Sequence, residues 1–244
     1  MNLIPFENLP TQKVKTVLVS GQFKEYVVEL NKIGIKTITT SACSSLAKAE
    51  QYHADMQALH INKKLLVLKE CVNLQNKLKG LEISFEVVEE KVQEKYPQNV
   101  LVNGLVLGDY IICNEKTVCK NSLKDNSKIF INVKQGYTKC SVAVVSQNAI
   151  ITADEGIAKV ATKNKIDVLK IETGHIALPE YNYGFIGGCS GLVDKNTLVF
   201  TGDITKHPNY EDIKSFCSNY RVNTYSLSKS GLTDIGSILP LSYE

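Results

Sequence analysis

The chain has 244 residues, with 28 Lys and Arg against 25 Asp and Glu, 43% hydrophobic residues, 15 Gly and 6 Pro. Ordinary globular usage of this kind excludes a disordered, collagenous or low-complexity chain. A formal net charge of +3, with Lys spread among Asp and Glu, makes nucleic acid an unexpected partner, and no stretch approaches the ~18 apolar residues that span a bilayer, so no membrane is expected.

The first seven residues, Met1 to Glu7, carry no basic region followed by an apolar run and no small-residue cleavage site, which predicts a cytoplasmic protein. Seven Cys, at positions 43, 71, 113, 119, 140, 189 and 217, form an odd set without a CxxC pair. That usage fits a reducing compartment and predicts buried thiols rather than a disulfide framework or a zinc knuckle. Neither a cofactor nor a metal is expected. His53 and Asp55 could hold a metal only if His60 joined them, and His60, an odd number of residues further along a strand, falls on the other face.

In chain order, Val14–Ser20 reads as a strand, Phe23–Ile33 as a helix with Phe23, Tyr26, Val27 and Leu30 on one face, and Ile35–Thr39 as a second strand. Tyr52, Tyr96, Tyr137, Tyr181 and Tyr225 then recur every 41 to 44 residues. Each of the first four is followed by a short apolar or Gly-containing strand, a polar turn and a second strand rich in aliphatic residues. Helical spacing follows at Leu74, Leu78 and Leu81, at Ile157, Val160 and Ala161, and at Tyr210, Ile213, Cys217 and Tyr220. Gly34 and Gly80 mark helix ends before Ile35–Thr39 and Leu81–Phe85, while His207-Pro208-Asn209 marks a helix start. Residues 116–128 are too polar and too short for a helix before Ile129–Val133, so the third arm is expected to be degenerate.

The first unit lacks a first strand, and the last segment, Gly231 to Leu241, supplies one without companions. Joining the ends predicts a single domain over residues 1–244. Its five ββαβ units would form an α/β propeller with five-fold pseudosymmetry, closed by pairing the strand around Ile235–Leu239 beside Val14–Ser20. In such a ring the residues three beyond the Tyr marks, Asp55, Asn99, Cys140 and Gly184, with Asp234 at the matching place, would face a central channel. Asp55 and Asp234, with His53 or His60 nearby, would suit a cationic ligand, because paired carboxylates accept the planar donor fork of a guanidinium. Equally, Asp55 could cap a turn and Asn99 could satisfy backbone groups at a strand start.

This unit order and length resemble the pentein superfamily, whose members include guanidine-modifying enzymes (arginine and agmatine deiminases, dimethylarginine dimethylaminohydrolase, amidinotransferases) and a non-catalytic translation initiation factor. The resemblance covers nearly the whole chain after residue 13. It implies that Asp55 matches the Asp that holds the substrate guanidinium, with His60 where that strand carries a Glu. It implies that His175, in Gly174-His175-Ile176-Ala177-Leu178, matches the general acid/base. The C-terminal stretch that should carry a nucleophilic Cys reads Asp234-Ile235-Gly236-Ser237-Ile238-Leu239-Pro240-Leu241, so the Cys position falls on Gly236. A bacterial subfamily without the usual nucleophile is thereby implied.

Ser237 could attack only with a base to deprotonate it, and Cys189, flanked by Gly187, Gly188 and Gly191, is the best-placed substitute thiol. The expected site is therefore His175 and Cys189 as catalytic groups with Asp55, His53, His60 and Asp234 binding substrate. The expected function is a small-molecule site, cationic or guanidino, in the central channel, without standard deiminase activity. A non-catalytic interaction or scaffold protein is the rival expectation, distinguished by an apolar plug in the channel. Ligand identity and oligomeric state stay open at this stage.

Overall fold

A computed structural model of the chain describes residues 1–123 and 127–244. In chain order the elements are β1 (Thr16–Val19), α1 (Lys24–Lys32), β2 (Lys36–Thr39), α2 (Ala54–Gln57), β3 (Ala58–Ile61), β4 (Lys64–Leu68), α3 (Val72–Gly80) and β5 (Phe85–Val88). They continue with β6 (Leu105–Leu107), β7 (Tyr110–Cys113), α4 (Lys120–Leu123), β8 (Ile129–Asn132), α5 (Thr138–Ser141), β9 (Val142–Ser146), β10 (Ala149–Thr152), α6 (Glu155–Lys163), β11 (Asp167–Lys170) and β12 (Ile176–Ala177). The last are β13 (Ser190–Asp194), β14 (Thr197–Phe200), a 3-10 turn (Ile204–Lys206), α7 (Tyr210–Asn219), β15 (Asn223–Ser226), β16 (Leu232–Thr233) and β17 (Leu239–Ser242).

The architecture is mixed α/β, built from small sheets. Five have three strands, in the orders β17-β1-β2, β3-β4-β5, β6-β7-β8, β11-β10-β9 and β13-β14-β15, and β12 pairs β16 in a sixth. In each three-stranded sheet the middle strand is antiparallel to one neighbour and parallel to the other. The middle strands are almost wholly buried and read as near-continuous apolar runs (TVLV, KLLVL, YIIC, AIIT, TLVF), as strands covered on both faces do. The parallel outer strands, such as KTIT and NTYS, are half exposed and more polar, which protects a free edge. Leu30, Leu78, Ala161 and Cys217 bury the inner faces of the four long helices in the core.

β17 pairs β1 antiparallel, with Pro240 opposite Val17 and Leu239 opposite Leu18. The chain ends therefore share a sheet, although of the span Ile235–Leu239 only Leu239 belongs to β17. Three other expectations are corrected. The strand expected at Leu81–Phe85 begins at Phe85, because Leu81 and Glu82 finish helix α3: Ile83 N donates to Leu78 O and Glu82 sits at φ +53°. The segments after Tyr52 and Tyr137 open with one-turn helices, α2 and α5, before their strands start. Tyr225 lies inside β15, so its spacing from Tyr181 marks no equivalent position. The polar third arm holds a single turn, α4, and the remainder of that expectation falls partly on residues 124–126, outside the described ones.

Candidate functional site

The turns that precede the first strands converge. Asn103, at the end of the turn before β6, bridges two of them: its Oδ1 accepts from the backbone N of Lys139 (2.9 Å) and Cys140 (3.3 Å) at the start of α5, and its Nδ2 donates to the backbone O of Asp55 (3.1 Å) in α2. The turn 234–237 is locked to the same place, since Asp55 N donates to Gly236 O and Ser237 N to Gly188 O. Gly236 sits at φ +79°, and a Cβ there would lie 2.3 Å from both Cα and Cβ of His53. His53 thus packs directly on the backbone of residue 236, which leaves no room for any side chain.

A dense polar cluster results. Asp55 Oδ2 accepts from Ser237 Oγ at 2.5 Å and from the Cys140 thiol at 3.2 Å, while Lys139 Nζ donates to Ser237 Oγ at 3.0 Å and Asn103 Nδ2 donates to Cys140 Sγ at 3.0 Å. Asp234 accepts from the backbone N of Phe185 and Gly236, and its Oδ1 lies 3.8 Å from His53 Nδ1. All of these side chains are buried, and two polar atoms in the cluster, Asp55 Oδ1 and His53 Nε2, have no hydrogen-bond partner. Burial pushes the Cys140 thiol well up, helped by the charges of Asp55 and Asp234, raises Asp234 and lowers Lys139. Each shift disfavours a charged form, because charge without water is costly.

Above the cluster lies a pocket of about 240 Å³ whose lining includes His53, Cys140 and Asp234 together with Glu50, Tyr137, Tyr181 and Phe185. Glu50 is buried and fully held: Tyr137 OH (2.9 Å) and Tyr181 OH (2.8 Å) donate to Oε1, and Asn99 Nδ2 (2.9 Å) donates to Oε2. Desolvation and the neighbouring Glu50 push the Tyr137 hydroxyl up, so it stays a donor. The pocket therefore joins a fixed carboxylate to aromatic faces over a floor of Cys, His and Asp.

Of the residues singled out by sequence, His53, Asp55 and Asp234 meet in this cluster. The other three do not join it. His60 stands on β3 among the charges of Glu7 and Lys128, and burial lowers its pKa to about 4. His175 is 41% exposed, with its Nε2 3.6 Å from Glu172 and its ring against His207, so the expectation that it shares a cavity with Asp55 is not met. Cys189 is fully buried, donates to Ile186 O at 3.3 Å, and is held protonated by desolvation and by Asp234. Glu50, Asn103, Tyr137, Lys139 and Cys140 were missed as site residues, or in the case of Cys140 ranked behind Cys189. Asn99 and Cys140 were marked by their offset from a Tyr, but Glu50 and Asn103 lie outside that pattern.

The mixed α/β fold of small sheets resembles that of the guanidine-modifying pentein enzymes. Solved structures similar to this chain include agmatine deiminase from Campylobacter jejuni (9% identity, TM-score 0.56, covering 98% of this chain and 96% of that one). They also include an amidinotransferase of the saxitoxin pathway from Microseira wollei (9%, 0.58, 92% of each chain) and dimethylarginine dimethylaminohydrolase from Pseudomonas aeruginosa (8%, 0.50, 88% and 93%). At such identities the likeness concerns the fold. By sequence, residues 18–239 match the family of unknown function DUF6873, and the chain belongs to that family. No curated protein sequence matches it.

Proposed function

We propose that the chain is a single-domain, five-unit α/β propeller of the pentein kind whose pocket binds a compact cationic small molecule, a guanidino compound being the leading class, and that it is not a standard deiminase. The observation that carries this reading is Glu50, a buried carboxylate held by Tyr137, Tyr181 and Asn99 beside aromatic rings and close to Asp234. A carboxylate next to aromatic faces receives a cation by charge-assisted hydrogen bonds and by cation–π attraction. At about 240 Å³ the space is below the range that holds drug-sized ligands, hence a compact molecule. The interaction-protein alternative calls for an apolar plug, which the polar cluster argues against. Seven unpaired thiols support a cytoplasmic location.

Deiminase chemistry needs a thiolate on the C-terminal turn. Gly236 occupies that place with His53 packed on it, and Cys189 is buried and protonated. Thermal unfolding against guanidinium, agmatine, arginine and methylated arginines tests both halves. A saturable rise is expected for at least one of them, equivalent to about 2.7 kcal/mol at 100 times Kd, and lost in Glu50→Gln, with no citrulline or ammonia released. An unaltered rise in Glu50→Gln would refute the binding mode, and product release abolished by Cys189→Ser would refute the denial of deiminase chemistry.

A further inference from the structure

His53 comes from the cap of α2, Asp55 from its first turn and Cys140 from α5, so three potential ligand atoms reach one place from two separate turns. One nitrogen of His53, a carboxylate oxygen of Asp55 and Cys140 Sγ all lie within 4.8 Å of one another, the only such group identified among the described residues. Each side chain is nearly inaccessible to solvent. Two of the three carry a buried polar atom without a hydrogen-bond partner: Asp55 Oδ1 and His53 Nε2. A buried polar atom without a partner is costly, and an ion held by this group would satisfy two such atoms at once.

We infer that His53, Asp55 and Cys140 form a binding site for a divalent metal ion of the zinc class at the floor of the pocket. The surrounding groups already serve those ligands. Asp55 Oδ2 is engaged by Ser237, which leaves Oδ1 for the ion. His53 Nδ1 lies 3.8 Å from Asp234 Oδ1, which leaves the partnerless Nε2 as the nitrogen for the ion. Asn103 Nδ2 donates to Cys140 Sγ, an outer hydrogen bond that would stabilise a thiolate.

A mixed set of sulfur, nitrogen and oxygen donors suits zinc and its first-row neighbours rather than magnesium or calcium, which prefer oxygen alone. Charge balances as well. Binding breaks the Cys140 S–H bond and with it the thiol's hydrogen bond to Asp55 Oδ2: the ion takes the sulfur lone pair, the proton leaves to solvent, and the thiolate with the Asp55 carboxylate neutralises a 2+ ion. Three protein ligands leave a fourth position for water or a pocket ligand. The ion site does not depend on Glu50 and stands apart from the cationic-ligand reading.

Chelator-treated full-length protein titrated with cobalt(II) tests it. One ion per chain is expected, with thiolate-to-cobalt charge-transfer absorption in the near ultraviolet and release of a proton. Cys140→Ser should abolish that absorption and Cys189→Ser should retain it. Because Cys140→Ser could disturb the buried cluster, His53→Gln serves as a second variant: with the thiol intact, affinity should fall by at least about 100-fold while the far-ultraviolet dichroism stays unchanged. Absence of the band in the unaltered protein, or its persistence in Cys140→Ser, would overturn the site. Glu50→Gln should remove the guanidino thermal shift and leave the cobalt band, so the two proposals fail separately.

Discussion

Both ring nitrogens of His60 are buried without a partner, and desolvation, more than the opposing charges of Glu7 and Lys128, pushes its pKa from 6.5 down to about 4. The folded state therefore refuses a proton that the unfolded chain accepts below pH 6.5. Stability should be lost as pH falls from 6.5 to about 4, by up to about 3 kcal/mol in total, and this contribution should not change further at lower pH. Urea unfolding across that window, compared with His60→Leu, measures it. The variant should show a flatter dependence, and identical slopes would show that His60 is not the group responsible. The same residue marks a limit of sequence reading. Offset counting from Asp55 placed His60 near a ligand, but the one-turn helix α2 intervenes before β3 and changes where every later side chain is aimed.

The four long helices end alike. Ile35, Ile83, Ile166 and Val222 donate their backbone N–H to the carbonyls of Leu30, Leu78, Ala161 and Cys217, five residues back, and the residue before each donor has positive φ: Gly34 (+78°), Glu82 (+53°), Lys165 (+61°) and Arg221 (+58°). This is the Schellman closure, and its buried apolar donor turns the chain from helix into the outer strand. Only Gly34 announces itself in the sequence. The other three are charged residues in a conformation that Gly adopts freely, which is why the sequence places the strand after α3 four residues early. Gly34→Ala meets no crowding beyond a distant Lys13 and should cost about 1 kcal/mol from backbone strain alone. Glu82→Gly should change stability in the other direction, by about 0.5 kcal/mol. Denaturant midpoints at constant m-value report both, and equal signs for the two substitutions would contradict the account.

At the scale of the molecule, the decisive contact joins residues more than two hundred positions apart. β17 covers the free side of β1, Lys15 N donates to Ser242 O, and Ile4 N donates to Leu241 O. Val17 and Leu18 are fully buried by that arrangement, and each fully buried side chain of this size contributes about 2 kcal/mol. Removing residues 239–244 should therefore abolish cooperative unfolding rather than fray one end. Dichroism melts and limited proteolysis of the truncated chain would show it, and a cooperative melt displaced by only a few degrees would mean that β1 holds its place without β17.

The sequence by itself determined the long helices and the main strand cores, though not the one-turn helices α2 and α5. Apolar strand cores such as AIIT, helical spacing at Ile157, Val160 and Ala161, and an unfilled place in the first unit are local properties, since period and composition depend on neighbours a few residues away. The split unit even implied the β17–β1 pairing, because a strand with one exposed edge needs a partner. Only the tertiary structure decided the site. His53 and Asp55 are close in sequence, but Cys140, Asn103, Glu50 and Asp234 arrive from different turns, and their meeting depends on hydrogen bonds such as Asn103 to the start of α5. A His-x-Asp spacing looked for its third ligand along the same strand at His60, whereas the third ligand stands 85 residues away at Cys140, because side chains become neighbours through the packing of turns and not through their separation along the chain.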